Sequence, residues 1–215
     1  MTESIKISSS VHAANDLIAR GNRAFFAEKK CTVLNMISSP GSGKTAILER
    51  MAREWGDMLA VITGDIQTTF DADRLTKAGA SALQIETGGS CHLTAAMVQK
   101  ALAAIDLEHK KVLVIENVGN LVCPSTFDLG EQCKVAVLSV AEGDEKPAKY
   151  PALFTRAAVV LINKIDLLPY VSFSVDRVKA DCAKLNSAAK VFPLSAKTGE
   201  GFEAWMQWCG EWAAE

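Results

Sequence analysis

At 215 residues, with 49% hydrophobic and 22% charged side chains, the chain has the size and composition of one globular domain with a full core. Its formal net charge of −2 excludes a strongly basic field of the kind that binds nucleic acid or an anionic membrane surface. Residues 1–10 hold no apolar core of signal-peptide length and no apolar run approaches about 18 residues, so the cytoplasm is the expected compartment. The six cysteines are then read as free thiols or metal ligands.

In residues 10–30, Val11, Ala14, Leu17, Ile18 and Phe25 recur at helical spacing between polar residues. This predicts an amphipathic helix packed on the domain through that stripe. Strand and helix signals then alternate. A short apolar run at 32–37 precedes a Gly-rich turn and a helix at 44–54. A strand at 58–63, a helix at 71–78, a strand at 81–85 and a helix at 93–104 follow. The runs 111–115, 135–140 and 157–162 are rich in Val, Ile and Leu and read as strands buried on both faces. A helix at 174–186, a strand at 191–194 and a helix at 201–212 complete the pattern. Alternation of this kind predicts an α/β fold, a mostly parallel central sheet flanked by helices on both faces. Ligands of such sheets sit beyond the carboxyl ends of the strands.

The turn after the first strand, Ser38-Ser39-Pro40-Gly41-Ser42-Gly43-Lys44-Thr45, is built to hold phosphate oxygens. Gly41 and Gly43 let the backbone curl so that N–H groups, Ser42's among them, face inward, and the next helix turns its positive end toward the anion. Lys44 supplies a point charge for the β/γ oxygens and the Thr45 hydroxyl can ligate Mg²⁺. The pattern G-x-x-x-x-G-K-[ST] is met except at its first position, where Ser38 stands. Residues 31–215 are therefore expected to form a P-loop NTPase domain, preceded by a helical extension at 1–30.

Asn163-Lys164-Ile165-Asp166 follows an apolar strand. A carboxylate at Asp166 can accept from N1–H and the 2-amino group of guanine, donors that adenine lacks. Asn163 would brace the loop and the Lys164 stem would cover the base. Ser195-Ala196-Lys197, after the last predicted strand, resembles the last guanine motif of GTPases. Two further segments fall after predicted strands. Asp65, after Gly64, and Glu116, in Glu116-Asn117-Val118-Gly119, are candidate Mg²⁺ and catalytic carboxylates beside Lys44, and Gly119 is placed to offer its N–H to a γ-phosphate. No glutamine stands where Ras-like enzymes orient water, which predicts slow hydrolysis.

Cys91-His92, in a loop before a helix, and Cys123, in the loop after the Glu116 strand, offer two thiols and an imidazole suited to Zn²⁺ or Ni²⁺. By spacing alone they fit a metal site and inert packing equally. Cys31, Cys182 and Cys209 fall on packing positions, and Cys133 is open to either reading.

On these motifs, on Gly89-Ser90-Cys91-His92-Leu93 and on Ile115-Glu116-Asn117-Val118-Gly119-Asn120-Leu121-Val122-Cys123-Pro124, the chain from Val33 to Trp208 resembles the HypB family, GTPases that help insert nickel into [NiFe]-hydrogenase. The resemblance implies a GTP-hydrolysing nickel metallochaperone with GTP/GDP, Mg²⁺ and Ni²⁺ or Zn²⁺ as ligands. It implies Cys91, His92 and Cys123 as the Ni/Zn set at a homodimer interface. The implied partners are a HypA-type accessory protein and, directly or through it, the hydrogenase large subunit. Lys146 and Lys149 are candidates to reach a partner's nucleotide or to be a solvated charged loop. Members with an N-terminal Cys-rich or His-rich nickel motif differ from this sequence, so the internal site is expected to serve alone. The urease accessory GTPases carry a Cys-Pro-His motif, whereas Ser125 follows Cys123-Pro124 here. A metal-free regulatory switch is the alternative of a different class.

Overall fold

Every strand pairing in the computed structural model, which describes residues 7–65 and 70–213, is parallel. The leader reading of residues 1–10 falls largely outside the described residues. The strands are β1 (Thr32–Ser38), β2 (Leu59–Asp65), β3 (Ser81–Glu86), β4 (Val112–Glu116), β5 (Cys133–Ser139), β6 (Val159–Asn163) and β7 (Lys190–Pro193). They form one sheet in the order β3-β2-β4-β1-β5-β6-β7. The expectation of a mostly parallel sheet is thus met by a fully parallel one among the described residues. Each strand but the edge ones is apolar on both faces, because helices cover both.

The longer helices are α1 (Ile7–Glu28), α2 (Lys44–Trp55), α3 (Phe70–Lys77) and α4 (Ala95–Leu102). Three single turns follow, α5 (Cys123–Thr126), α6 (Lys146–Lys149) and α7 (Pro151–Phe154), and then α8 (Val175–Leu185) and α9 (Phe202–Trp212). Helices α2, α3 and α9 bury Ile47, Leu48, Met51, Leu75, Trp205 and Met206 against Leu34, Met36, Val135 and Leu161. On the opposite face Phe26 of α1 and Val98 of α4 meet Val33, Ile62 and Ile115. Beside them Leu153, Phe154 and Val178 meet Ala136, Leu138 and Ile162. Alternate residues of β1, β5 and β6 go to opposite faces, as the two-residue repeat of a strand requires. No helix among the described residues is long and apolar enough to cross a membrane.

Helix α1 does pack on the domain, but through only part of the stripe that hydropathy indicates: Phe25 packs on the core and Ile18 is half-buried. Val11 and Leu17 are exposed, at 52% and 64%, and Ala14 is exposed as well. The buried face is Asn15, Ala19, Asn22 and Phe26. Its asparagines meet backbone groups that would otherwise be buried unpaired. Asn15 donates to the Asp128 carbonyl (2.7 Å) and accepts from the Ala95 N–H (2.9 Å), while Asn22 donates to the carbonyls of Ala95 and Leu129, both at 3.0 Å.

The strand registers align Met36 of β1 and Thr63 of β2 with Glu116 of β4, Asp65 with Glu86, and Ser139 with Asn163. All the motifs noted in the sequence therefore meet at one edge, the carboxyl ends of the strands. The chain crosses from β4, on one side of β1, to β5, on the other. Beyond that switch point lies the crevice in which open α/β sheets bind ligands.

Candidate functional site: a phosphate cradle, a base pocket and a thiol–imidazole cluster

A cavity of about 450 Å³ opens over β1 and β4, lined among others by Gly41, Gly43, Lys44, Thr45, Asp65, Glu116 and Gly119. Its floor is the turn into α2, with Lys44 at the first position of that helix. Lys44 is buried, and its Nζ donates to Ser38 Oγ at 2.8 Å. This explains the serine that stands where the phosphate-loop pattern has glycine: its hydroxyl holds the lysine in place. Burial pushes the Lys44 amine below its ordinary pKa, while Glu116, Asp71, Glu142 and Asp65 favour its charge. On the far side, a Cβ at Gly119 would lie 2.9 Å from Pro40 Cγ, so glycine is what lets the segment after β4 close on the phosphate loop.

Glu116 is the most unusual group here. Thr45 donates to its Oε1 at 3.0 Å, and its Oε2 is buried with no hydrogen-bond partner. Burial raises its carboxyl pKa to about 7; Lys44 opposes this and Asp71 adds to it. An unpartnered carboxylate oxygen, a threonine hydroxyl and Asp65 on one cavity are the donor set that suits a hard cation such as Mg²⁺. The proton linkage has a definite sign. Native Glu116 holds its proton up to about pH 7, whereas the unfolded carboxyl releases it near its ordinary value of about 4.5. This group's contribution to stability is therefore full below about pH 4.5 and is lost as pH rises through 7, by up to about 3 kcal/mol. In the nucleotide-free protein, Glu116→Gln should gain stability relative to wild type between pH 5 and 8, measured as the difference in urea midpoint. An equal difference at both pH values would remove Glu116 as the titrating group.

A smaller cavity adjoins the first at Gly43 and Ala46 and is lined by Asn163, Lys164, Asp166, Leu167, Ala196 and Lys197. Asn163, buried at the end of β6, donates to the Ser42 carbonyl at 2.9 Å and accepts from the Ala196 N–H at 3.1 Å. One carboxamide thus ties the phosphate loop to the last loop. Lys164 takes a left-handed backbone (φ 66) and its Nζ reaches the Gly41 carbonyl at 2.7 Å. Ser195 donates to Asp166 Oδ1 at 2.6 Å, which orients the carboxylate and leaves Oδ2 as a further acceptor. Every phosphate, carboxylate and base residue read from the sequence lines one of these two cavities, save Ser42 and Ser195, which brace them from behind.

Cys91, His92 and Cys123 also converge: their ligand atoms lie within 4.8 Å of one another. Cys91 Sγ is 3.4 Å from His92 Nδ1, and a hydrogen bond with Cys123 raises the Cys91 thiol pKa. His92 Nε2 is buried without a partner. Burial, and then His12, depress the imidazole pKa and favour the neutral form in which histidine binds metals. Phe127 is packed against the ring at 4.0 Å between centroids, and His12 of α1 meets Phe127 at 4.7 Å. Two thiols and a neutral imidazole whose Nδ1 lies beside Cys91 Sγ fit a soft or borderline divalent ion. Cys123 opens the helical turn α5, where the sequence suggests plain loop. Cys133 is buried at the start of β5, and burial raises its thiol to about 12. Cys31 and Cys182 are buried too, each raised to about 11, and Cys209 is raised by the same cause. These four are packing thiols, protonated and inert.

Sequence reasoning missed several groups at the site. Glu142 Oε1 lies 2.6 Å from the Ser42 hydroxyl, and Asp71 and Arg74 line the larger cavity. Asn117 and Asn120, inside motifs already noted, hold the cysteine loop. Lys146 faces its own phosphate loop, with Nζ 3.4 Å from Ser39 Oγ and 3.7 Å from Glu142 Oε2. Lys149 is exposed and pairs with Glu145 at 2.8 Å.

The CobW/HypB/UreG nucleotide-binding domain family matches residues 32–193. Hydrogenase maturation factor HypB of Escherichia coli (strain K12) is 48% identical over 196 residues, 90% of this chain and 68% of that protein. The crystal structure of HypB from Helicobacter pylori in complex with nickel aligns with a TM-score of 0.88 at 42% identity, covering 94% of this chain and 95% of that one. HypB from Archaeoglobus fulgidus aligns with a TM-score of 0.87 at 36% identity, covering 94% and 99%. With its nucleotide cavities and thiol–imidazole cluster carried on the same fold over nearly its whole length, the chain belongs to the HypB family of hydrogenase maturation factors.

Proposed function

We propose that the chain binds and slowly hydrolyses GTP, carries nickel as cargo, and delivers it for assembly of a [NiFe]-hydrogenase active site, with GTP favouring a homodimer. The observation that carries this reading is the convergence of Cys91, His92 and Cys123 within 4.8 Å on loops that leave the same strand ends as the phosphate cradle. One relative of the same fold has been crystallised in complex with nickel, which supports nickel as the ion; zinc would compete for the same donors.

In this reading Gly41, Ser42, Gly43 and Lys44 hold the β- and γ-phosphates and Gly119 offers its N–H to the γ-phosphate. Thr45, Asp65 and Glu116 hold Mg²⁺, which neutralises charge on the phosphates when bound. Lys44 stabilises the charge that grows during transfer, and Asp65 and Glu116 keep the polar side of the cavity fixed. Asp166 reads guanine, Asn163 and Lys164 shape its pocket, and Ser195, Ala196 and Lys197 close it. Nickel released from the thiol–imidazole set passes to a HypA-type accessory protein and, directly or through it, to the hydrogenase large subunit.

The test is nickel binding by the purified protein saturated with GDP or with a non-hydrolysable GTP analogue, alongside phosphate release from GTP. Nickel affinity that differs between the two nucleotide states, with measurable GTP turnover, supports the carrier. Normal GTP binding with no nickel binding in either state makes the protein a metal-free switch.

A further inference from the structure

The cysteine loop and the nucleotide cavity are joined by one buried side chain. Asn117 follows Glu116 directly and is 1% exposed. Its Oδ1 accepts from the Leu93 N–H at 3.0 Å and from the Val118 N–H at 3.1 Å, and its Nδ2 donates to Asn35 Oδ1 at 3.2 Å. Two N–H groups on one terminal atom settle which end of the amide is oxygen. Asn35 is held in turn, its Nδ2 donating to Glu131 Oε1 at 3.1 Å. Leu93 is the residue after His92, and it is fully buried.

Leu93 is gripped from a second side. A Cβ at Gly64, the residue before Asp65, would lie 2.8 Å from Leu93 Cγ, so the leucine side chain is packed directly on that backbone. The neighbours of both candidate Mg²⁺ carboxylates, Asp65 and Glu116, therefore touch the neighbour of His92. On the other flank, Asn120 donates to the Cys91 carbonyl at 3.2 Å and accepts from the Val122 N–H at 2.9 Å. The pair Cys91-His92 is thus bracketed by two carboxamides, and Gly119, packed on Pro40 of the phosphate loop, lies between them.

We infer that Asn117 is the positioning residue that transmits the nucleotide state to the metal-binding loop, through its bond to the Leu93 N–H. The inference rests on the carrier reading proposed above. Gly119 cannot move toward or away from a γ-phosphate without displacing the peptide at Val118. Oδ1 of Asn117 is bonded to that peptide and to Leu93 at once. Both bonds are buried, so leaving either unmade costs the desolvation of a polar group, and the loop follows the segment after β4. The reverse also holds: an ion that draws Cys91 and His92 toward Cys123 biases the same segment, as linkage requires.

The experiment uses the full chain, with Ni²⁺ as probe in competition with a chromogenic chelator, at saturating GDP and at saturating non-hydrolysable GTP analogue. The wild-type ratio of the two nickel affinities is expected to be at least about fivefold. Asn117→Ala should bring that ratio to about one. Asn117→Asp, which keeps the acceptor shared by Leu93 and Val118, should restore most of it. A wild-type ratio that survives in Asn117→Ala overturns this inference and leaves the carrier reading standing. A wild-type ratio of one overturns both. Should Asn117→Ala fail to fold, hydrogen exchange at the Leu93 amide of the wild-type protein decides: protection that changes between GDP and the GTP analogue supports the link, and unchanged protection overturns it.

Discussion

Lys44→Ala should lower the single-turnover rate of GTP hydrolysis at saturating nucleotide by at least about 100-fold, the scale on which one preorganised charge contributes in a site shielded from water. The reason lies in how the amine is held. It is buried at the start of α2, bonded to Ser38 Oγ, and surrounded by Glu116, Asp71, Glu142 and Asp65. Burial lowers its pKa and the carboxylates oppose that effect. When phosphate enters, the ammonium is already in place and needs no reorganisation. Alanine removes the charge and also strips Glu116 of the cation that holds its proton affinity down. The variant's carboxyl should therefore titrate higher still, and any residual activity should shift to higher pH. Phosphate release measured from pH 6 to 9 tests both parts. A variant that hydrolyses GTP within about threefold of wild type would take Lys44 out of the charge-stabilising role.

Cys123→Ser should weaken nickel binding at least about 100-fold in either nucleotide state, beyond what losing an outer-shell contact costs. Serine is nearly isosteric, but its hydroxyl is a hard, weakly acidic donor that does not replace a thiolate on a borderline metal. The site places all the weight on few donors. Among the described residues one cluster brings three His, Cys, Asp or Glu ligand atoms within 4.8 Å, so no neighbour of that kind stands ready to substitute. Cys91→Ser should behave alike, because its Sγ belongs to the same 4.8 Å cluster and serine likewise withdraws a thiolate from the ion. His92→Ala should cost as much as either thiol, because His92 Nδ1, 3.4 Å from Cys91 Sγ, is placed as a full ligand. Chelator competition at fixed pH gives all three affinities, with GDP affinity on the same samples as the check on folding. Nickel binding unchanged by Cys123→Ser would move the ion elsewhere on the chain.

Much of this architecture was legible locally. The apolar runs at β4, β5 and β6 mark buried strands wherever they pair. The glycines and Lys44 of the phosphate loop, and the Asn-Lys-x-Asp run at Asn163, carry their chemistry within a few residues. What was not legible falls into three kinds. The single turns α5, α6 and α7 are too short for helical periodicity to register. The packed face of α1 departs from the hydropathy stripe at Asn15 and Asn22, which are buried for the backbone bonds they make to Ala95, Asp128 and Leu129, partners far away in sequence. Cys133 stays open in the sequence because Lys134 separates it from the apolar run at 135–140, whereas β5 begins at Cys133 and buries it.

By itself, then, the sequence determined the strand–helix alternation, the glycine-rich turn into α2, the Asn-Lys-x-Asp loop and the membership of Cys91, His92 and Cys123 in recognisable motifs, since each depends on neighbours a few residues away. Only the tertiary structure decided that Ser38 holds Lys44, that Ser195 orients Asp166, that the two thiols meet the imidazole, and that Asn117 ties Leu93 to the segment after β4. Each of these joins strand ends or loops whose proximity is set by the crossovers of the sheet. A hydrogen bond is decided by such proximity to within a few tenths of an ångström, and local pattern carries no information about it.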